Sequence, residues 1–170
     1  VVVDVGTGCG NIAISLAKER PEAFILATDI SSEAIVWARR NLEFHQISNV
    51  HLLQGDGLAP LKNSLPRQGI DLIISNPPYV SQSEWDELSP SIKDYEPRSA
   101  LLAGEEGLEV MAKLIREAPR LLKPGGILLL EIGWNQKEKV EKLFNSQWGE
   151  ITFRTDYQGI PRVCRAILKS

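Results

Sequence analysis

Short apolar runs alternate with longer amphipathic stretches along this chain, and that alternation restricts the possible folds more than any other feature. Strands that alternate with helices indicate a parallel sheet covered by helices on both faces. We therefore expect an α/β fold with a mostly parallel seven-stranded sheet and an antiparallel strand pair at the C-terminal end. The predicted strands are residues 1–5, 24–30, 50–54, 70–75, 127–132, 151–155 and 163–168, and the predicted helices are residues 11–20, 31–44, 107–122 and 137–144.

Composition narrows the class of protein. With 170 residues, 43% hydrophobic and 24% charged, the chain has the size and balance of one globular domain rather than of a disordered segment. Its net charge of −3 lacks the basic excess of proteins that grip nucleic acid, so no direct nucleic-acid partner is expected. The apolar runs are too short to span a membrane, and no membrane partner is expected.

Cysteine and histidine usage bears on location and metals. Cys9 and Cys164 cannot build a disulfide framework, so we expect a cytoplasmic protein. His45 and His51 have no cysteine at ligand spacing, so we expect no metal. The chain begins at Val1, without a methionine and inside an apolar run, and we interpret it as a fragment.

A glycine-rich loop follows the first predicted strand and reads Asp4-Val5-Gly6-Thr7-Gly8-Cys9-Gly10. Glycines spaced this closely can adopt positive φ and let a ligand approach the backbone. The loop lacks the G-x-G-x-x-G pattern of dinucleotide sites, because the third glycine counted from Gly6 would fall at Asn11. Asp4 suits a ligand with a positively charged amine better than a pyrophosphate. Cys9 has no neighbouring His or Lys, which favours a space-filling role over a nucleophilic one.

Two further acids end the second and third predicted strands, where open α/β sheets bind their ligands. Asp29 is placed to accept both hydroxyls of a ribose, and Asp56 to meet an adenine amine. Alone, the glycines could form a tight turn and Asp29 a helix cap, but together they describe an adenosine joined to an amine-bearing group. S-adenosylmethionine has that chemistry. The predicted cofactor-binding residues are Asp4, Gly6, Thr7, Gly8, Cys9, Gly10, Asp29, Ile30, Asp56, Gly57 and Asn76.

The fourth predicted strand ends in Asn76-Pro77-Pro78-Tyr79. The two prolines remove two backbone donors and leave the Asn76 side-chain oxygen and the Pro77 carbonyl as acceptors. Two convergent acceptors can hold both hydrogens of a planar NH₂ group and favour its pyramidal, nucleophilic form. Tyr79 can stack on the flat group that carries the amine. The alternative is a proline-terminated strand with an asparagine turn, and the neighbouring glycine loop makes that alternative weaker.

These motifs carry a family resemblance. Residues 4–10 resemble motif I of the Rossmann-like class I methyltransferases, and residues 76–79 resemble the amino-methyltransferase signature shared by adenine and glutamine methyltransferases. Further segments resemble the release-factor glutamine methyltransferases, the HemK or PrmC family. They are residues 95–101, Gly104, 107–108, 122–126, 131–133, Gln136, Asp156, Gly159 and 162–163. The resemblance covers essentially the whole chain, so we expect residues 1–170 to form one methyltransferase domain.

The resemblance implies methyl transfer from S-adenosylmethionine to the amide nitrogen, N(5), of the glutamine in the Gly-Gly-Gln motif of peptide-chain release factors, which are then the protein partner. S-adenosylhomocysteine is the other product. The resemblance implies catalytic roles for Asn76, Pro77 and Tyr79, and substrate binding by these residues with Pro78 and Glu96. Gly57 departs from the pattern, because some members carry an aromatic there. The family also has an N-terminal helical domain, and we expect this chain to correspond to the C-terminal catalytic domain alone.

Three other functions compete with this one. An adenine amino-methyltransferase of RNA or DNA would share the signature, but residues 76–104 carry more acids than bases and make a poor phosphate track. A nicotinamide-dependent oxidoreductase is disfavoured by the missing dinucleotide pattern and by Asp4. A non-catalytic binding module is disfavoured by the intact signature. No His or Cys near the fourth strand is available as a base, so we expect the amide proton to leave after the methyl group arrives.

Overall fold

The computed structural model describes residues 1–61 and 68–170. The helices are α1 (Asn11–Glu19), α2 (Ser32–Phe44), α3 (Gln82–Glu87), α4 (Pro90–Lys93), α5 (Arg98–Leu101), α6 (Glu109–Glu117) and α7 (Lys137–Glu141). The strands are β1 (Val2–Val5), β2 (Ile25–Asp29), β3 (Val50–Gln54), β4 (Ile70–Ser75), β5 (Val80–Ser81), β6 (Leu102–Gly104), β7 (Leu122–Glu131), β8 (Trp148–Thr155) and β9 (Pro161–Leu168). Single turns of 3₁₀ helix lie at Ala59–Leu61 and Ala118–Arg120.

Seven strands form the main sheet in the order β3-β2-β1-β4-β7-β9-β8. The first five pair in parallel, and β9 pairs antiparallel with both β7 and β8. The predicted seven-stranded sheet and its C-terminal antiparallel pair are therefore confirmed. The strand order reverses direction between β1 and β4, which is the position where sheets of this kind hold their ligands.

The hydrophobic core is divided between the two faces of the sheet. Successive residues of a strand point to opposite faces, and β2 shows this directly. Ile25 and Ala27 belong to one cluster with buried residues of α1 and α2, while Leu26 belongs to a larger cluster with Met111 and Leu114 of α6. Helices therefore cover both faces of the sheet, as predicted.

The boundary between α6 and β7 differs from the prediction of a helix over 107–122 and a strand from 127. The helix ends at Glu117, and a 3₁₀ turn containing Pro119 follows it. The strand begins at Leu122, which pairs with Ile70, while Leu72 pairs with Ile127. Residues 123–126 therefore form a bulge opposite Asp71. The segment Pro124-Gly125-Gly126, which precedes the predicted strand start at residue 127, marks an irregularity inside a longer strand.

No helix or strand was predicted within residues 76–104. The structure has three short helices there and a small parallel sheet formed by β5 and β6. Ser81 begins α3 with a capping box, since its hydroxyl accepts from the Glu84 N–H and its own N–H donates to the Glu84 carboxylate. Because these helices have only four to six residues, no sequence periodicity could reveal them. Within residues 1–61 and 68–170, no helix has the length and apolar character needed to cross a membrane.

Candidate functional site

The glycine loop follows β1 and takes a backbone conformation that only glycine adopts readily. Gly6, Gly8 and Gly10 have φ angles of 69°, 57° and 86°, so the predicted need for positive φ is confirmed. A Cβ atom added to Gly6 or Gly8 would meet no other atom of the residues that the structure describes within 4 Å. Open space therefore lies beside both glycines, where a ligand could approach the backbone closely.

Hydrogen bonds tie this loop to the neighbouring strand and helix. The N–H groups of Gly6 and Thr7 both donate to the carbonyl of Thr28, at 2.8 and 2.9 Å. The Asn41 side chain on α2 donates to the carbonyl of Cys9 at 2.8 Å, while the Cys9 side chain is exposed. The loop is thus held in shape before any ligand binds.

Asp4 lies beneath the loop and is completely buried. Its Oδ2 accepts hydrogen bonds from the Thr7 hydroxyl at 2.6 Å and from the Ala13 N–H at 3.1 Å. Its Oδ1 is buried and has no hydrogen-bond partner among the residues that the structure describes. Burial raises the pKa of Asp4 to about 6, the two hydrogen bonds oppose that rise, and the nearby charge of Asp29 adds to it.

Asp29 ends β2 and faces the same loop. Its Oδ2 accepts from the Gly8 N–H at 2.8 Å, and its Oδ1 accepts from the Ser31 N–H at 2.9 Å. A carboxylate offers about four acceptor positions, so two remain for the hydroxyls of a ribose. The next residue, Ile30, is 64% exposed. An exposed aliphatic side chain beside a carboxylate can cover the flat face of a nucleoside base.

Asp56 and Gly57 follow β3 on the far side of Asp29. The Asp56 carboxylate forms an ion pair with Lys113 of α6, a partner that the sequence did not reveal. The Gly57 carbonyl accepts a hydrogen bond from the Thr28 hydroxyl, and the Gly55 N–H donates to the Asp29 carbonyl. These bonds bring the ends of β2 and β3 together. The role of Asp56 toward an adenine amine stays a prediction.

The Asn-Pro-Pro-Tyr segment begins beside the glycine loop. The Ser75 hydroxyl at the end of β4 donates to the carbonyl of Val5 at the end of β1, at 2.7 Å. Asn76, which follows Ser75, therefore lies beside the end of β1, and Gly6 follows that strand end. Asn76 is exposed, and Pro77 behind it is buried.

A small cavity of about 100 Å³ opens at this segment. Of the five predicted catalytic and substrate-binding residues, Asn76, Pro77 and Tyr79 line it, whereas Pro78 and Glu96 are not among its lining residues. Glu96 is exposed between α4 and α5. The remaining described lining residues, on the apolar side of the cavity, are Val80, Ala100 and Leu101. Ala100 and Leu101 belong to the segment 95–101 that carries the family resemblance, whereas Val80 was not predicted.

The main chain behind the cavity is held by Gln136, a buried side chain that was predicted only as part of the family resemblance and without a physical role. Its amide donates to the carbonyls of Tyr79 and Gly107, at 2.9 and 3.1 Å, and its oxygen accepts from the Gly133 N–H at 2.8 Å. A Cβ atom on Gly107 would lie 2.6 Å from the Tyr79 carbonyl oxygen, so only glycine fits there. The Asn-Pro-Pro-Tyr backbone is thus fixed from behind.

Together the two halves of the site have complementary chemistry. The half formed by β1 and β2 offers a glycine cradle, the Asp29 carboxylate and a buried carboxyl oxygen of Asp4 that has no partner within residues 1–61 and 68–170. These features fit a ligand that combines an adenosine with a cationic group. The half formed by β4 offers two acceptors, from Asn76 and Pro77, beside a cavity of side-chain size.

Comparisons with known proteins agree with this chemistry. A family model described as a methyltransferase domain matches residues 1–158. A protein from Streptomyces coelicolor named release factor glutamine methyltransferase is 38% identical over 97% of this chain and 58% of its own length. Another of that name, from Gloeobacter violaceus, is 41% identical over 95% of this chain and 56% of its own length. The chain thus spans little more than half of these relatives.

Solved structures support the fold. A ribosomal protein L11 methylase from Lactobacillus delbrueckii subsp. bulgaricus superposes with a TM-score of 0.70 and 23% identity, over 99% of this chain and 70% of that one. A methyltransferase from Pyrococcus furiosus gives a TM-score of 0.71 and 23% identity, over 100% of this chain and 75% of that one. At such identities the likeness concerns the fold alone.

Proposed function

This chain belongs to the methyltransferase domain family, and from that premise we propose that it transfers a methyl group from S-adenosylmethionine to the side-chain amide nitrogen of a glutamine. The acceptor is the glutamine of the Gly-Gly-Gln motif of a peptide-chain release factor. A bond forms between the amide nitrogen and the methyl carbon, the sulfur–methyl bond breaks, and a proton leaves the nitrogen. The names of the relatives, release factor glutamine methyltransferase, support this choice of acceptor.

One observation carries the proposal. The hydrogen bond from Ser75 to the Val5 carbonyl, 2.7 Å long, joins the strand that leads to the glycine loop and the strand that leads to Asn76. A donor held at the loop and an amide held at Asn76 therefore belong to adjacent strand ends. Methyl transfer requires such an arrangement, because its rate depends on aligning two groups at close range.

In this proposal, the methyl donor is bound by the glycine loop after β1 and by the residues at the end of β2. Asp29 accepts the ribose hydroxyls, Ile30 covers the base, and Gly6 and Gly8 leave room along the backbone. The Oδ1 atom of Asp4, which has no hydrogen-bond partner in the described part of the chain, favours a cationic group nearby. S-adenosylmethionine, when bound, supplies an electrophilic methyl group on a positively charged sulfur.

Asn76 and Pro77 act on the acceptor. The Asn76 oxygen and the Pro77 carbonyl each accept one hydrogen of the amide NH₂, which draws the nitrogen out of conjugation and frees its lone pair for attack. Hydrogen bonds of Ser75 and of the Tyr79 carbonyl hold the main chain on both sides of these acceptors, which favours stabilisation of the developing positive charge with little reorganisation. Methylation makes the nitrogen acidic, and the proton then passes to solvent without a dedicated base.

The test is a single-turnover reaction of this chain, in excess, with a purified release factor and S-adenosylmethionine. Peptide mapping by mass spectrometry should find one methyl group on the glutamine of the Gly-Gly-Gln motif. A release factor with that glutamine changed to asparagine is the matched control and should stay unmodified. A methyl group found elsewhere, or none on the wild-type factor, would contradict the proposal.

The same assay distinguishes the proposed function from that of an adenine amino-methyltransferase of RNA or DNA. Adenine-containing RNA and DNA oligonucleotides, incubated in parallel, should remain unmethylated. Residues 76–104, which follow β4, carry five acids against two bases, and that balance disfavours a phosphate backbone. Methylation of an oligonucleotide at a rate above that of the release factor would favour the adenine enzyme instead.

A further inference from the structure

Tyr79 is held at its hydroxyl as well as at its main chain. Arg162 donates one N–H of its guanidinium to the Tyr79 hydroxyl at 3.0 Å, and the same nitrogen lies 3.3 Å from the Glu131 carboxylate. The Tyr79 hydroxyl in turn donates to the same Glu131 oxygen at 3.4 Å. The guanidinium carbon also lies 5.6 Å from the centre of the Tyr79 ring. The three groups therefore close a triangle in which each contacts the other two.

We propose that Arg162 and Glu131 are positioning residues that act through the Tyr79 hydroxyl and fix the ring against the acceptor amide. The proposal rests on the function proposed above. Neither residue lines the cavity, whereas Tyr79 does, so any effect on the acceptor passes through the ring.

The topology explains why this triangle forms at the site. Glu131 is the last residue of β7, and its antiparallel partner on β9 is Val163, the residue after Arg162. Strand β4, which leads to Tyr79, pairs with the other edge of β7. The network therefore joins the ends of three adjacent strands. Residues 79 and 162 meet only because the final strand returns antiparallel beside β7.

Arg162 and Glu131 contribute to the orientation of Tyr79 more than to the stability of the fold. The Arg162 and Glu131 side chains are 28% and 35% exposed, and ion pairs that exposed contribute little to folding. The hydroxyl of Tyr79 is both an acceptor and a donor in the triangle, which fixes the direction of its C–O bond. Gln136 fixes the other end of the residue through the Tyr79 carbonyl. The hydroxyl and the main chain of Tyr79 are thus both restrained, which suits a ring that stacks on a planar amide.

A double-mutant cycle tests this role. Arg162→Met should lower kcat on the release factor by roughly tenfold with little change in KM, since small displacements of positioning groups can cost up to about a hundredfold. Arg162→Lys, which keeps a charged donor, should recover part of that loss. In a Tyr79→Phe background, which lacks the hydroxyl, Arg162→Met should have no further effect. Additive losses in the double variant would overturn the proposal.

Arg165→Met is the matched control. Arg165 lies on the same strand and pairs with Glu150 at 3.6 Å, away from Tyr79. Its loss removes an arginine and an ion pair of β9 without touching the triangle, so kcat should stay within about twofold of the parent, as for surface changes in general. A loss equal to that of Arg162→Met would show that the effect belongs to the strand and not to Tyr79.

A spectroscopic readout keeps this test independent of the acceptor. The chain has three tyrosines, and Tyr95 and Tyr157 are highly exposed, so the signal of isotope-labelled Tyr79 can be distinguished. The NMR shift of its Cζ carbon should move in Arg162→Met and stay unchanged in Arg165→Met. If the release factor is not methylated but this signal moves as expected, the proposed function fails and the positioning contact stands. An unchanged signal would overturn the contact itself.

Discussion

A substitution of Asn76 tests the proposed contact between the enzyme and the acceptor amide at a single residue. The Asn76 oxygen is one of two acceptors for the amide hydrogens, and that interaction strengthens as the nitrogen becomes pyramidal. Asn76→Ala should therefore lower kcat more than it raises KM, by about 10²–10³ for the loss of one preorganised partner. Single-turnover methylation at saturating S-adenosylmethionine measures it.

Asn76→Asp is the companion variant, because it keeps an acceptor at the same place. We expect it to retain more activity than Asn76→Ala. Asn76 also belongs to the predicted cofactor-binding residues, but its proposed role is toward the acceptor. The loss of affinity for S-adenosylmethionine should therefore be small beside the loss of kcat in both variants. An Asn76→Ala enzyme with the parent rate would mean that the Asn-Pro-Pro-Tyr segment only ends a strand.

Asp4 gives the folded chain a predictable pH dependence. Its pKa rises from 3.8 to about 6 on folding, mainly through burial. Between those values the folded state holds a proton that the unfolded state has released, so the free energy of unfolding falls as pH rises through this window. The loss is at most about 3 kcal/mol and is complete above about pH 6. Asp4→Asn should flatten this window, and urea unfolding at several pH values measures it.

Ligand binding should depend on Asp4 in the opposite direction. A cationic ligand favours the ionised carboxylate, so the affinity for S-adenosylmethionine should rise between about pH 5 and pH 7 in the parent and stay flat in Asp4→Asn. Asp94→Asn, which changes an exposed acid away from the loop, should keep the dependence of the parent. The same dependence in parent and Asp4→Asn would exclude Asp4 as its source.

At the scale of elements, Gln136 connects the segment after β4 with the loops before α6 and after β7. Gln136→Ala would leave the Tyr79 and Gly107 carbonyls and the Gly133 N–H without their side-chain partner. Each buried polar group that loses its partner costs about 1–3 kcal/mol, so we expect a loss of roughly 3 kcal/mol or more in the free energy of unfolding. Gln158→Ala, in an exposed turn, is the control and should change it by less than about 0.5 kcal/mol. Equal losses in the two variants would contradict the role of Gln136.

Some elements of the fold could be predicted from the sequence, and others could not. The sheet and the glycine loop were predictable, because strand periodicity and positive φ at Gly6 and Gly8 are local properties. The short helices of residues 76–104 carry too few turns to show a period. The contact of Tyr79 with Arg162 joins residues 83 positions apart, and no local pattern encodes it. The partner of Asp56 was hidden for the same reason, since Lys113 lies on another element.

At the scale of the whole molecule, the ligand should stabilise the chain as a unit, because its predicted contacts draw on the loops after β1, β2 and β3. A ligand at a hundred times its Kd adds about 2.7 kcal/mol to the free energy of unfolding. For a domain of this size each kcal/mol raises Tm by roughly 2–4 °C. S-adenosylhomocysteine at that excess should therefore raise Tm by about 5–10 °C in a thermal unfolding experiment, with NAD as the matched nucleotide control and no expected shift.

Substitutions of Asp29 test whether the ligand stabilises the chain through the predicted contacts. Asp29→Ala removes the acceptor of the ribose hydroxyls and the anchor of the Gly8 N–H, so it should weaken the binding of S-adenosylhomocysteine by about 2 kcal/mol. At the same ligand concentration most of the rise in Tm should then disappear. Asp29→Asn keeps one acceptor oxygen and should retain an intermediate shift, which separates lost hydrogen bonds from a collapsed loop. A rise in Tm with NAD but none with S-adenosylhomocysteine would exclude the methyl-donor site and favour an oxidoreductase.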